Sequence, residues 1–316
     1  MKIVVMDGHG LNPGDLSWSG FEQFGELVVY ERTPEELVLP RAREADALLV
    51  NKTVIDAALL QELPKLRYIG VLATGYNTVD TEACRAHGVT VTNVPAYGTS
   101  AVAQYTLALM LELCHQVGHH AEEVRAGRWA KNPDYCFWDG RPMLLEGRTL
   151  GIVGFGRIGV ATAKLALAFG MEVLAVPSRS GKLEAEHFAY AELDEVIARA
   201  DFLSLSCPLT AETRGLLNRE RIAKMKKGAF VINTSRGPVI DEEALAEALE
   251  SGALGGAAVD VLSQEPPVNG SPLIGAKNAI VTPHIAWAAD SARQKLMDVA
   301  VENFSAFLAG RPQNVV

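Results

Sequence analysis

The stretch Thr149–Ala168, TLGIVGFGRIGVATAKLALA, decides the fold. A strand-like run, Thr149 to Val153, leads into Gly154-Phe155-Gly156-Arg157-Ile158-Gly159, then into a helical pattern from Val160 to Ala168, and a second strand-like run, Glu172 to Val176, follows. Strand, glycine turn, helix and strand in that order form a Rossmann unit. Gly154 permits the tight turn, Gly156 lets the backbone approach a pyrophosphate, and Gly159 lets helix and strand pack closely. The helix then starts with free N–H groups, those of Arg157 and Ile158 among them, facing the phosphates of a dinucleotide. The plainer alternative is a glycine-rich turn in an empty α/β domain.

Outward from this unit, short apolar runs alternate with helical patterns. After it come Phe202 to Cys207, Phe230 to Thr234, Ala257 to Val261 and Ala279 to Thr282; before it come Ile3 to Met6, Leu27 to Tyr30, Ala47 to Val50, Tyr68 to Leu72 and Val89 to Val94. Such alternation predicts parallel sheets covered by helices on both faces. The expected organisation is α/β with two doubly wound domains, residues 1–98 and 99–286, with the last helix, Ser291 to Leu308, packing back on the first. A single long helix is expected from Ser100 to about Ala126, followed by a loop, Lys131 to Glu146, long enough to be functional.

At 316 residues the chain exceeds what one core usually serves, which agrees with two domains. A formal net charge of -9 and the absence of a Lys/Arg run argue against nucleic acid as a partner. No apolar run reaches the roughly 18 residues of a membrane span, and with no signal peptide the expected location is the cytoplasm. Cys84, Cys114, Cys136 and Cys207 are scattered without CxxC spacing and read as reduced thiols. His115, His119 and His120 have helical spacing, but nothing nearby completes a coordination shell, so they read as decoration of a helix end rather than as a metal site.

After the second strand, an NAD-type enzyme would carry an acid for the ribose hydroxyl; here the chain reads Val176-Pro177-Ser178-Arg179-Ser180. Arg179 between two serines suits a 2'-phosphate, so NADP is favoured, with NAD as the alternative. In an open parallel sheet, ligands bind beyond the carboxyl ends of the strands. Those ends hold Cys207 and Pro208 with Thr213 beyond them, then Thr234, Ser235 and Arg236, then Asp260, then His284. Reduction of a keto acid needs a cation for the carboxylate and carbonyl and a proton donor for the oxygen; Arg236 suits the first task and His284 the second. Glu265, in a segment stiffened by Pro266 and Pro267, is the candidate partner that would hold the imidazolium. Singly, Arg236 and Glu265 read equally as surface ion-pair members, and His284 as a turn residue.

Together these residues resemble the D-isomer-specific 2-hydroxyacid dehydrogenase family over nearly the whole chain. YIGVLATGYNTVD and NVPAYGTSAVAQYTLALML are followed by GFGRIG, CPLT, NTSRG, AAVDV, EPP and TPHIAWA in the family's order. The resemblance implies a Rossmann cofactor domain over 99–286 and a flavodoxin-like substrate domain over 1–98, completed by 287–316. It implies domain closure around the ligands and a homodimer. Arg236, Glu265 and His284 take the catalytic roles; Asp260 lies where the family contacts the nicotinamide carboxamide. Backbone N–H groups of Leu72, Ala73, Thr74 and Gly75 would meet the substrate carboxylate. Within the family, PDYCFWDG and MDGHGLNPGDLSW are most similar to glycerate dehydrogenases, also called hydroxypyruvate reductases. Tyr135, Phe137 and Trp138 either cap a small pocket or pack at a dimer interface. The competing readings are a reductase of D-lactate type and a dinucleotide-sensing protein like the C-terminal-binding-protein corepressors, which share the fold.

Overall fold

The computed structural model describes every residue from Met1 to Val316. They divide into two compact units, Met1–Gly98 with Ala288–Val316, and Thr99–Trp287. The boundary falls one residue later than the sequence reading places it: Trp287 stays with the second unit, where its indole N–H donates to the carbonyl of His284 at 2.8 Å.

In the first unit, β1 (Lys2–Val5), α1 (Ser19–Glu22), β2 (Glu26–Val29), α2 (Glu35–Ala42), β3 (Ala47–Val50), α3 (Ala57–Gln61), β4 (Tyr68–Val71), α4 (Thr81–Ala86) and β5 (Thr90–Thr92) follow in turn. The five strands are all parallel, in the order β2-β1-β3-β4-β5, which is the flavodoxin-like arrangement. β3 and β4 are buried along their whole length, as their unbroken apolar runs require in a sheet covered on both faces. Asp56 and Asp80 cap α3 and α4 by accepting the N–H groups of Leu59 and Ala83.

In the second unit, α5 (Thr99–His115) and α6 (Val117–Arg125) precede β6 (Thr149–Val153), α7 (Arg157–Ala168), β7 (Glu172–Ala175), β8 (Phe188–Tyr190) and α8 (Leu193–Arg199). Then come β9 (Phe202–Leu205), α9 (Arg219–Lys224), β10 (Phe230–Asn233), α10 (Glu242–Glu250), β11 (Gly256–Val259) and β12 (Ala279–Val281). Seven parallel strands run β12-β11-β10-β9-β6-β7-β8, the Rossmann order extended by one strand, with the crossover between β6 and β9. The last helix, α11 (Asp290–Leu308), returns to the first unit, where Phe304 packs 5.0 Å from Tyr68 and 5.3 Å from Phe24 between ring centroids.

Three expectations need correction. The helix expected from Ser100 to Ala126 is two helices, because Gln116 turns left-handed at φ 50°. Glu112 then caps the second by accepting the N–H of Gly118 at 3.2 Å, satisfying a group that a continuous helix would have paired internally. β8 is not expected from sequence; Phe188-Ala189-Tyr190 is too short an apolar run to stand out as a strand, yet Phe188 and Tyr190 pack on Phe155 at 5.2 and 5.6 Å. Several strands are also shorter than their apolar runs: Val89 to Val94 contracts to Thr90–Thr92, and Ala279 to Thr282 to Ala279–Val281.

Candidate active site

The glycine turn is built as its spacing predicts. A side chain at Gly154, which has φ +96°, would sit 2.3 Å from the backbone nitrogen of Cys207, and one at Gly159 would sit 2.5 Å from the Gly154 carbonyl. These two glycines close β6 onto α7 and onto the segment after β9. Gly156 is different: its nearest neighbour is the Ser180 hydroxyl at 3.7 Å, so its face is open. It caps α7, whose first N–H groups, on Arg157 and Ile158, emerge there with the positive end of the helix dipole. This cradle fits a pyrophosphate.

Beyond β7, Ser178 and Ser180 lie with hydroxyls 3.3 Å apart, and the exposed guanidinium of Arg179 between them has no carboxylate partner. Gly181 draws this loop over the turn, since a side chain there would sit 1.8 Å from the Phe155 carbonyl. After β9, Thr213 donates to the Pro208 carbonyl at 2.6 Å. Cys207 beside it is buried, and burial pushes its thiol above the usual range. Thr234 meets the hydroxyl of Thr106, on α5, at 3.1 Å.

The three residues proposed for chemistry follow neighbouring strands. Arg236 follows β10 and is exposed, with one of its five N–H groups spent on the Ser235 carbonyl at 2.7 Å and no carboxylate partner. Asn233 shapes this turn: it accepts from Ser235 at both the backbone N–H (3.0 Å) and the hydroxyl (2.8 Å), and donates to the Arg236 carbonyl at 2.9 Å. Gly237 then lets the turn press on the loop after β11, where a side chain would lie 2.0 Å from the carbonyl carbon of Leu262. That same loop carries Glu265, which accepts the Leu262 N–H at 2.9 Å with one oxygen and faces Nδ1 of His284 at 2.6 Å with the other.

His284, after β12, has φ 56°, a conformation that costs a non-glycine residue energy and is held by its surroundings. Asp260 does the holding. Its buried carboxylate accepts from the Thr282 hydroxyl at 2.6 Å and from the N–H groups of Ile285 (3.0 Å) and Ala286 (2.8 Å), and its carbonyl accepts the His284 N–H at 2.8 Å. The resemblance gives Asp260 to the nicotinamide carboxamide; in the structure its carboxylate braces the histidine loop, and Oδ2, with a single donor, keeps a lone pair for such a contact. Two carboxylates therefore fix His284, Glu265 at the ring and Asp260 at the backbone.

In the first unit, the loop after β4 differs from expectation in one member. The Leu72 N–H is spent on the Val50 carbonyl at 2.7 Å and its side chain is buried, so Leu72 offers nothing to a ligand. Ala73, Thr74 and Gly75 follow with three successive N–H groups that have no acceptor in the protein, an arrangement that suits an anion. Sequence assigns no role to Asn233, Gly237, Thr282 and Trp287, although all four lie inside the motifs NTSRG and TPHIAWA. Their signal is polar or glycine identity next to a catalytic candidate, which only the loop conformation turns into a role. His119 faces Asp139 at 2.8 Å, while His120 spends both ring nitrogens, on the Gln116 carbonyl and the Asp139 N–H. No group of three His, Cys, Asp or Glu side chains is placed to hold a metal.

Residues 107–286 match the family model described as D-isomer specific 2-hydroxyacid dehydrogenase, NAD binding domain. The chain is 50% identical to a hydroxypyruvate reductase of Blautia hydrogenotrophica, over 100% of this chain and 99% of that one. It is 40% identical to a glycerate dehydrogenase of Methylorubrum extorquens, over 100% and 98%. Among solved structures, an NADPH-dependent glyoxylate/hydroxypyruvate reductase of Sinorhizobium meliloti, in complex with NADP and malonate, is similar at TM-score 0.83 and 29% identity, covering 100% of this chain and 96% of that one. By the family model and by full-length identity, the chain belongs to the D-isomer-specific 2-hydroxyacid dehydrogenases.

Proposed function

We propose that this enzyme reduces hydroxypyruvate to the D-2-hydroxy acid D-glycerate, and glyoxylate beside it to glycolate. The observation that carries the reading is the Glu265–His284 pair at 2.6 Å, on the same sheet edge as the unpaired guanidinium of Arg236. Strand order puts Arg236 and His284 two strands apart, roughly 10 Å at the usual interstrand spacing, which suits a small 2-keto acid. A bound nicotinamide dinucleotide supplies the hydride. Arg236 holds the carboxylate through its planar fork and polarises the carbonyl. With Glu265 accepting at Nδ1, His284 carries the transferable proton at Nε2 and gives it to the oxygen that becomes the hydroxyl. In the first unit, the N–H groups of Ala73, Thr74 and Gly75 are assigned to a substrate carboxylate.

NADP(H) is favoured over NAD(H) because Ser178, Arg179 and Ser180 offer a cation and two hydroxyls and no acid. The relatives named hydroxypyruvate reductase and glycerate dehydrogenase, and the solved reductase with NADP, support the substrate and cofactor assignments. A homodimer is proposed from the aromatic side chains of the loop after α6: Tyr135 is 90% and Trp138 63% exposed, more apolar surface than a lone loop keeps in water. The proposed location is the cytoplasm; no helix is long and apolar enough to cross a membrane. Chiral chromatography of the hydroxypyruvate product tests the reading. D-glycerate is expected, and L-glycerate would overturn it.

A further inference from the structure

The loop that presents the three N–H groups is held from behind by a chain of buried amides. The Asn93 side chain, at the end of β5, donates to the Thr74 carbonyl at 2.7 Å. Val94 secures the neighbouring peptides, its N–H donating to the Ala73 carbonyl at 3.0 Å and its carbonyl accepting from the Thr74 hydroxyl at 2.9 Å. A peptide is planar and trans, so its C=O and N–H point in opposite directions. Anchoring the Ala73 carbonyl therefore aims the Thr74 N–H away from the sheet, and anchoring the Thr74 carbonyl does the same for Gly75.

Asn93 is itself clamped. Its carbonyl accepts from the side chain of Asn303 on α11 at 2.9 Å, and its N–H donates to the carbonyl of Asn314 at 3.1 Å. The Asn314 side chain in turn donates to the side-chain oxygen of Asn303 at 2.8 Å. Asn93 is 9% exposed and Asn303 1%. A buried amide that loses its partner costs far more than one at the surface, so this chain of bonds stiffens whatever it ends on.

From these contacts we infer that Asn93 is a positioning residue for the substrate carboxylate, and that Asn303 and Asn314 hold it in register, so that the last helix and the segment after it set keto-acid affinity without touching the ligand. The inference rests on the assignment of the Ala73–Gly75 N–H groups to the carboxylate.

Asn93→Asp tests it, because the change keeps the shape of the side chain and replaces the donor facing Thr74 by an acceptor. The expected result is a rise of about tenfold or more in KM for hydroxypyruvate, with dinucleotide Kd unchanged and Asn93→Gln no better than Asn93→Asp. An unchanged KM overturns the inference. Gly75→Pro, which removes one N–H of the loop, separates the two levels. If Gly75→Pro raises KM while Asn93→Asp does not, the positioning role fails and the loop assignment stands; if neither raises it, the loop assignment itself has failed. Should Asn93→Asp not fold, Asn314→Ala gives the reading from a half-buried position: a threefold or larger rise in KM at unchanged dinucleotide Kd is expected, and no rise overturns the proposal.

Discussion

His284 depends on two acidic groups with different duties, and the variants separate them. Glu265 touches the ring at 2.6 Å, whereas Asp260 touches only the loop that carries it. His284→Ala should lower kcat by roughly 10² to 10⁴, the share of a placed general acid, with dinucleotide Kd intact. Unchanged turnover at neutral pH would remove it as the proton donor. Arg236→Ala leaves a bound carboxylate without its fork and should lower kcat/KM for hydroxypyruvate by roughly 10² to 10³, since donors aimed at developing charge are worth about 2.7 to 4 kcal/mol. Loss of dinucleotide binding instead would move Arg236 out of the substrate role. Arg179→Ala should weaken NADPH by about 10- to 100-fold and leave NADH nearly unchanged, as a hydrogen bond to a charged group is worth roughly 1.5 to 3 kcal/mol; equal effects on both would overturn the phosphate reading.

At the scale of elements, the segment from α6 to Gly140 is knit by charge rather than by a core. No residue of α6 is buried, while Arg128 pairs with Asp139 and with Glu123, and stacks its guanidinium 4.3 Å from the Phe137 ring centre. The Arg128 guanidinium, with His119 behind it, holds the Asp139 carboxyl well below the usual carboxylate range. A depressed carboxylate contributes stability above its unfolded value and loses it as pH falls through the folded one. The segment should therefore stay locked down through mildly acidic solution and release only in strong acid. Tryptophan fluorescence, to which Trp129 and Trp138 contribute, should differ between the parent and Asp139→Asn across pH 8 to 4; an identical profile for the two would refute the lock. Cys84 and Cys114 lie in helices, and burial pushes both thiols up to about 11. A thiol reagent at pH 8 should titrate Cys136 before either, and early reaction of Cys84 would contradict the packing.

Over the whole molecule, what was legible in the sequence was what repeats or what sterics demand. Two parallel sheets announce themselves through β3, β4, β9 and β10, which are mainly apolar and buried along their whole length, and the glycine turn through collisions at Gly154 and Gly159 that no side chain escapes. Position along the chain also marks Arg236 and His284, because strand ends in such sheets face the ligand. What stayed hidden depends on side-chain aim. Asp260 reads as one more acid at a strand end until its carboxylate is seen to brace the His284 loop through Thr282, Ile285 and Ala286. Leu72 sits in the right loop with its N–H already committed, and Gln116 breaks an apolar helix through one left-handed residue that periodicity does not register. Asn93, Asn303 and Asn314 are far apart in sequence and meet only because α11 returns to the first sheet.

The central claim, reduction of a small 2-keto acid through Arg236 and the Glu265–His284 pair, is tested most directly by initial rates of NADPH and NADH oxidation with hydroxypyruvate, glyoxylate and pyruvate as acceptors. The account predicts fastest turnover of hydroxypyruvate with NADPH, slower turnover of glyoxylate, and collapse of both in His284→Ala. Tight dinucleotide binding with no turnover of any of the three acids would contradict it.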